Sequence, residues 1–223
     1  MDKTISRDSA YPHPRGSLTR AQIAGGALAA PLFVVVAVFE IFTRQGFDLR
    51  RHDLSLLSNG DLGWIQITNF IVTGLLLIGA ASGMRNLIRS GRASSWGPPL
   101  VALFGLGWLG AGAFVADPMN GFPPGTPLGL PAHPSWHSWM HLISGSVAFI
   151  ALIAACFVFA RRFASLRERW WAVYSVFTGI VVLTAFAGIS TGSQQLSVGF
   201  FIAGVLALLW VSALSVRLIV ESR

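Results

Sequence analysis

The amino-acid sequence has few charged residues, one cysteine and one lysine. Charged residues make up 11% of the 223 residues, whereas a soluble globular chain carries roughly 25%. That deficit, together with 53% hydrophobic residues, excludes an ordinary soluble fold and a disordered chain. The single cysteine, Cys156, excludes an internal disulfide and a cysteine-based metal knuckle. The sequence also lacks a P-loop, a Rossmann fingerprint and a nucleophile elbow.

Six long apolar stretches dominate the chain. Each is close to the roughly 20 residues that a helix needs to cross a bilayer. The runs are continuous and do not alternate, which favours helices over a β-barrel. The first run is too long for a signal-peptide core, and we expect it to be retained. The sequence therefore predicts an all-α, polytopic membrane protein with one domain over residues 21–219. This domain is predicted to be a six-transmembrane-helix bundle, with spans at about 21–43, 63–86, 97–116, 140–160, 170–190 and 198–219.

Positive charges fall on alternate connections between these spans. Thirteen of the sixteen Lys and Arg residues lie in the N-terminal tail, in the second and fourth connections and at the C-terminus. The other three, Arg44, Arg50 and Arg51, all lie in the first connection. Because cytoplasmic loops are enriched in Lys and Arg, both termini are predicted to be cytoplasmic, in the plasma (inner) membrane. Residues 1–20, with Lys3 and Arg7, form the predicted basic cytoplasmic tail.

The net charge of +7 averages over two unlike sides of the membrane. The predicted cytoplasmic side carries about +9 and the outer side about −2, with histidine taken as neutral. A basic cytoplasmic side suits anionic membrane lipids, so we expect lipid contacts and no nucleic-acid partner. Four of the five histidines and five of the nine acidic residues lie on the outer side. The outer side is therefore where the sequence places the residues able to do chemistry.

Residues 117–139 form the longest connection and are rich in proline and glycine. Fixed turns at these residues predict a structured outer loop. Pro134 suits the first position of a helix, so His137 and His141 are expected to begin span four and to share a face at i, i+4. That spacing can offer two imidazoles to one Zn²⁺ or similar divalent ion.

The third group of such a site is an outer carboxylate. Asp117, at the end of span three, is the predicted third ligand after His137 and His141; Asp53 could take that place or orient an imidazole. In an enzyme, Asp117, His141 and Asp53 would be the catalytic groups. The competing interpretation is that both histidines are only hydrogen-bonded or interfacial. Ser138 also replaces the glutamate that a zincin helix carries beside its first histidine.

Other polar residues have two interpretations each. Gln66 and Asn69, one turn apart in span two, either form interhelical hydrogen bonds or line a pocket. Glu40, near the hydrated outer end of span one, either pairs with Arg44 at i+4 or lines the same pocket. The glycines of span three and Gly145 of span four are predicted to be close-packing sites. The loop residues His52, Asp53 and His133 are expected to be solvated or to cap a helix. The alternative is that they bind a metal ion or take part in catalysis.

Three motifs stand at the predicted outer ends of the spans: Ser58-x4-Gly63-Trp64-Ile65-Gln66-x2-Asn69-Phe70, Gly112-x-Phe114-x2-Asp117-Pro118-x2-Gly121-Phe122-Pro123, and His141 at the start of span four. In these motifs the chain resembles, over about residues 20–218, a prokaryotic integral membrane protein family known as "domain of unknown function 998". The resemblance implies a six-span bundle and no established reaction. A looser similarity to seven-span membrane hydrolases that hold zinc with histidines is an analogy only, because the span count differs.

Three functions remain open from the sequence. The first is an accessory or structural membrane protein whose outer face contacts lipid or a membrane-protein partner. The second is a membrane-embedded, metal-dependent or acid–base enzyme that acts on a lipid-like substrate through Asp117, His137 and His141. The third is a small transporter that uses its intramembrane polar groups, for which the chain lacks inverted repeats.

Overall fold

The computed structural model describes residues 14–192 and 196–221. These residues form six α-helices and one short 3-10 helix, Leu54–Ser58, and the all-α prediction is confirmed. The α-helices are α1 (Pro14–Thr43), α2 (Gly63–Leu87), α3 (Arg92–Ala113), α4 (Trp136–Ser165), α5 (Arg169–Ile189) and α6 (Ser197–Glu221).

Two of the predicted segment boundaries lie inside helices. Helix α1 begins at Pro14, so the last seven residues of the predicted tail are helical. Residues 1–13, with Lys3 and Arg7, and Arg223 lie outside the described residues. Helix α4 begins at Trp136, so the end of the predicted outer loop is helical too. Ser135 caps this helix by accepting a hydrogen bond of 3.1 Å from the backbone N–H of Ser138.

The six helices form a closed ring in chain order. Each helix contacts the next, and α1 contacts α6. We call the end with the connections 44–62 and 114–135 the long-loop end. The turn end carries the short connections 88–91 and 166–168. Short connections place successive helices side by side and antiparallel.

Helix α3 packs closely against α2 and α4 through glycines. A Cβ atom on Gly74 would lie 2.7 Å from the backbone oxygen of Gly105, and one on Gly105 would lie 2.8 Å from that of Gly74. A Cβ on Gly107 would lie 2.6 Å from the backbone oxygen of Ser144 on α4. These contacts confirm the predicted packing role of the α3 glycines. Gly145 differs, since no atom lies within 4 Å of its would-be Cβ, and the prediction of close packing there is wrong.

Pro31 interrupts the hydrogen-bond ladder of α1, and α6 contributes to the turn before it. The hydroxyl of Ser212 accepts from the backbone N–H of Ala30 at 3.2 Å and donates to the backbone oxygen of Gly26 at 2.9 Å. A serine from a neighbouring helix thus satisfies the backbone groups of the turn that precedes the proline, which allows α1 to continue.

Five of the six helices are long and apolar enough to cross a membrane, which is the pattern of a multi-pass membrane protein. Helix α3 is not among the five. It has 22 residues but contains two prolines and five glycines, which lower its average hydropathy. Its length is therefore sufficient, at roughly 33 Å, while its composition is only moderately apolar.

We predict that Gly105→Ala lowers the thermal unfolding midpoint of the purified protein. The new methyl group would press against a backbone oxygen of α2 that cannot move without moving the helix. Overpacking of this kind costs about 1–3 kcal/mol. Gly199→Ala is the matched control, because nothing lies within 4 Å of its would-be Cβ. An unchanged midpoint for Gly105→Ala would contradict the close contact between α2 and α3.

Candidate functional site

A buried arginine joins the end of α1 to the first loop. Arg44 is 9% exposed and Glu40 is fully buried, and their Nη1 and Oε1 atoms lie 3.0 Å apart. Arg44 also donates to the backbone oxygens of Leu57, at 2.8 Å, and Asn59. The predicted ion pair is therefore present, but it lies inside the protein and not at a hydrated interface.

A buried histidine joins the first loop to the second. His52 is fully buried, and its Nδ1 accepts from the backbone N–H of Asp48 at 2.9 Å. The Nε2 atom therefore carries the proton and donates to the backbone oxygen of Asn120 at 3.0 Å. The predicted solvated position of His52 is thus wrong, because the two loops fold over it.

Phe122 of the second loop fills the space between these two anchors. It is 1% exposed, lies 5.5 Å beneath the guanidinium of Arg44 and contacts the rings of Phe47 and His52. The side-chain amide of Asn59 adds a hydrogen bond of 3.0 Å to the backbone oxygen of Ala116. The two loops therefore form one packed layer, which we call the loop cap (residues 44–62 and 114–135).

A cavity of about 500 Å³ lies inside the ring of helices beneath the loop cap. Its volume falls within the range of small-molecule sites, about 300–1,000 Å³. Every helix and both loops contribute to its wall, which is mainly apolar. Leu142 and Leu130 border the cavity and are also 54% and 68% exposed, so the cavity reaches the surface beside them.

Two aromatic clusters form much of the apolar wall. Phe33, Phe70 and Trp108 come from α1, α2 and α3, and the ring centroids of Phe33 and Trp108 lie 4.6 Å apart. The second cluster consists of Phe149, Phe186 and Phe200, which come from α4, α5 and α6. The ring centroid of Phe149 lies 5.6 Å from that of Phe186 and 4.9 Å from that of Phe200. The cavity thus has rigid aromatic walls on two sides.

Most polar groups of the cavity lie at its long-loop end. Asp53 occupies the N-cap position of the 3-10 helix, yet its side chain makes no capping hydrogen bond. Its Oδ1 instead accepts from the hydroxyl of Ser197, at the start of α6, at 2.8 Å. The Nδ1 of His141 lies 2.8 Å from the backbone oxygen of Phe114 and 3.1 Å from that of Ala111. Since carbonyls only accept, Nδ1 carries the proton.

Burial raises the pKa of Asp53, and the hydrogen bond from Ser197 and the nearby His141 and His52 oppose that rise. Because a raised pKa means that folding disfavours the charged form, ionised Asp53 lowers stability above its unfolded pKa. The cost is complete above the folded pKa, decreases as the pH falls below it, and is absent below the unfolded pKa. A cation near this carboxylate would also reduce that cost.

The predicted metal ligands are not gathered at one point. Both carboxylate oxygens of Asp117 accept hydrogen bonds of 2.6 Å from Ser135, one from its backbone N–H and one from its hydroxyl. The ring of His137 is exposed and lies against Trp136, with centroids 3.7 Å apart. His141 instead turns toward the cavity. Within residues 14–192 and 196–221, no three His, Cys, Asp or Glu side chains come together as metal ligands.

Of the predicted catalytic groups, the structure brings two together and separates the third. Asp53 and His141 both border the cavity and interact electrostatically. Asp117 does not line the cavity and instead fixes the start of α4 through Ser135. His133 is an exposed loop residue, and Ser135, not His133, caps α4.

The three predicted pocket-lining residues lie elsewhere. Glu40, Gln66 and Asn69 are buried and do not line the cavity. The amide nitrogen of Asn69 donates to the side-chain oxygen of Gln66 at 3.1 Å and to the backbone oxygen of Phe33 on α1 at 3.2 Å. The second bond joins α1 to α2, which is the interhelical alternative that the sequence left open.

Sequence reasoning missed Ser197 and the openings at Gly145 and Gly204. Ser197 lies 144 positions from Asp53 in the chain, so no local pattern connects the two residues. Gly145 and Gly204 both line the cavity, and no atom lies within 4 Å of their would-be Cβ atoms. Glycine in a membrane helix normally suggests close packing, and only the tertiary structure reveals that these two leave space.

The fold and the cavity define a multi-pass helical membrane protein with an amphipathic internal cavity at one end. The chain belongs to the family described as "Protein of unknown function (DUF998)", which matches residues 27–217. The resemblance found in the motifs is thereby confirmed. No match was found among the curated proteins or among the solved structures.

We predict that Arg44→Met destabilises the protein by about 3–5 kcal/mol, because it leaves the charge of Glu40 buried without its partner. The double variant Glu40→Gln/Arg44→Met should recover part of this loss. Recovery is partial because the carbonyls of Leu57 and Asn59 stay unpaired. Chemical or thermal unfolding of the purified variants measures both effects.

Arg50→Met is the control for this experiment, because Arg50 forms an exposed ion pair with Asp48 in the same loop. We expect little change in its stability. Equal stabilities for Arg44→Met and Arg50→Met would show that the buried ion pair does not hold the loop cap.

Proposed function

We propose that this protein is a six-span plasma-membrane protein, with both termini cytoplasmic, that binds a lipid-like molecule in its cavity from the outer side. The observation that carries the proposal is the cavity itself. It combines aromatic walls, a cluster of polar groups at one end and an opening beside exposed leucines. Small-molecule sites have this combination of apolar lining and a few placed polar groups.

The distribution of arginines supports the orientation. At the long-loop end, each of the three arginines is in an ion pair: Arg44 with Glu40, and Arg50 and Arg51 with Asp48. Hydrogen bonds from Arg50 lower the pKa of Asp48 to about 2, so this aspartate is ionised at neutral pH. The turn end carries most of the other basic residues. An excess of positive charge at the turn end favours the cytoplasm for that end.

Helix α3 completes the six spans in this proposal. It packs against α2 and α4 through close glycine contacts, and both of these neighbours are long and apolar enough to cross a membrane. A chain that leaves α2 at the turn end must return to the long-loop end before α4 begins. Helix α3 is the segment that makes this return, and its 22 residues are long enough to do so.

Cysteine labelling tests the orientation and the role of α3 together. The single native cysteine, Cys156, is buried and can be replaced by alanine. Ser90→Cys and Leu128→Cys then place one exposed thiol at each end of α3. In intact cells, a membrane-impermeant maleimide should label Leu128→Cys, and it should label Ser90→Cys only after the membrane is permeabilised.

Two results would contradict the proposed topology. Labelling of Ser90→Cys alone in intact cells would reverse the orientation. Labelling of both positions from the same side would mean that α3 does not span the membrane.

Filling the cavity tests the binding function. Gly204→Leu places an apolar side chain in the cavity, where no atom opposes its Cβ. We expect this variant to fold, and to lose photo-crosslinking to an alkyl amphiphile that carries a diazirine in its chain. Crosslinking is measured by mass spectrometry on protein in lipid nanodiscs.

Gly199→Leu is the matched control, since Gly199 lies on the same helix, is exposed and does not border the cavity. It should keep wild-type crosslinking in the cavity. Equal crosslinking of the two variants, or labelled peptides outside the cavity wall only, would overturn the proposed function.

A further inference from the structure

We propose that the molecule bound in the cavity carries a protonated amine, which lies between Asp53 and His141; this inference rests on the proposed lipid-like ligand. The polar groups at the long-loop end of the cavity determine which headgroup binds best. The hydrocarbon chain of the ligand contributes little to this selectivity, because a chain that moves from the bilayer into an apolar cavity exchanges one apolar surrounding for another.

Within residues 14–192 and 196–221, Asp53 is the one formally charged residue of the cavity wall. The described residues that line the cavity include no lysine and no arginine. An anionic headgroup would therefore meet a carboxylate and no fixed positive side chain. A cationic headgroup would meet an opposite charge in a partly desolvated place, where the attraction is stronger than in water.

Asp53 differs in its partners from the other carboxylates of the described chain, apart from the exposed Asp61. Arginines pair with Glu40, Asp48, Glu168 and Glu221. Asp117 accepts two hydrogen bonds from Ser135. Asp53 is half-buried and accepts a hydrogen bond from the hydroxyl of Ser197, and no ion pair joins it to an Arg, Lys or His of residues 14–192 and 196–221. A partly buried charge without a counter-ion is costly, and a bound cation removes that cost.

His141 adds a second acceptor beside this carboxylate. Its Nδ1 donates to two backbone carbonyls, so in the neutral ring Nε2 is an acceptor. Asp53 and His141 interact electrostatically, yet they do not form an ion pair with each other. Both residues line one cavity, and a donor group bound between them would suit these two acceptors. An ammonium group has three N–H donors and can supply both hydrogen bonds.

The aromatic wall suits the same headgroup. Phe70 lies against the ring of His141, with centroids 6.5 Å apart, and Trp108 follows it in the cluster. Aromatic faces attract cations, and an ammonium group placed near His141 would lie close to these rings. A hydroxyl headgroup would gain the hydrogen bonds but would gain less from the carboxylate and the rings.

The test compares headgroups on one chain. Diazirine-labelled alkyl amphiphiles of equal length, with an amine, a hydroxyl, a carboxylate or a phosphate, compete for crosslinking in nanodiscs of zwitterionic lipid. Signal retained by Gly204→Leu is subtracted as labelling outside the cavity. We expect the amine to crosslink at about tenfold lower concentration than the alcohol, as a charge-assisted hydrogen bond would give. The carboxylate and the phosphate should crosslink least.

Asp53→Asn removes the charge while keeping an oxygen that can accept from Ser197, so the fold should persist. It should abolish the preference for the amine over the alcohol, because the charge that distinguishes the two headgroups is gone. Asp48→Asn is the matched control, since Asp48 lies in the same loop, does not line the cavity and pairs with Arg50. It should keep the amine preference at the wild-type level.

Three outcomes would overturn the inference. Equal crosslinking by all four headgroups would leave the cavity as a binding site but remove the amine from it. A preference for the amine that survives Asp53→Asn would place the headgroup away from Asp53. Failure of every amphiphile to label the cavity in the wild-type protein would overturn both this inference and the proposed function.

Discussion

The guanidinium group of Arg44 is the contact on which the long-loop end depends. One side chain neutralises a fully buried carboxylate, donates to two backbone oxygens of the first loop and lies over Phe122 of the second loop. Removing a charged group from water is costly, and it is tolerated here because all these partners surround the same group. Arg44 therefore joins both loops of the cap to α1, alongside the contacts of His52 and Asn59 between the loops.

The ring of helices is tight on one side and open on another, and glycine serves both purposes. On α2 and α3, glycines let two backbones approach until no side chain would fit between them. At Gly145 and Gly204, the same residue type leaves empty space against the cavity. The difference lies in what faces each glycine: a neighbouring backbone in the first case, and the interior of the ring in the second. The same residue type thereby provides close packing at one place and open space at another.

The motifs that carry the family resemblance have structural roles at the long-loop end. A Cβ on Gly63 would collide with the backbone oxygen of Ser58, so the start of α2 needs glycine. Asp117 fixes the start of α4, Phe122 fills the loop cap, and His141 bonds two carbonyls at the end of α3. These residues are unusual in the sequence. Asp117 was a candidate ligand because an isolated carboxylate near histidines has that chemistry. The hydrogen bonds that Ser135 donates to Asp117 could not be inferred from spacing.

The sequence by itself determined the number of helices, their approximate ends and the unequal charge of the two ends. These features are local, because an apolar run or a cluster of arginines is visible within twenty residues. Tertiary structure decided which polar side chains meet. Asp53 reaches Ser197 across 144 positions, and His52 reaches Asn120 across 68, so each contact depends on how helices rotate and how loops fold. Hydrogen bonds require atoms within a few tenths of an ångström of a set distance, whereas hydrophobic burial requires only that a helix face point inward. Because of that difference in tolerance, the sequence predicted the bundle and not the cavity.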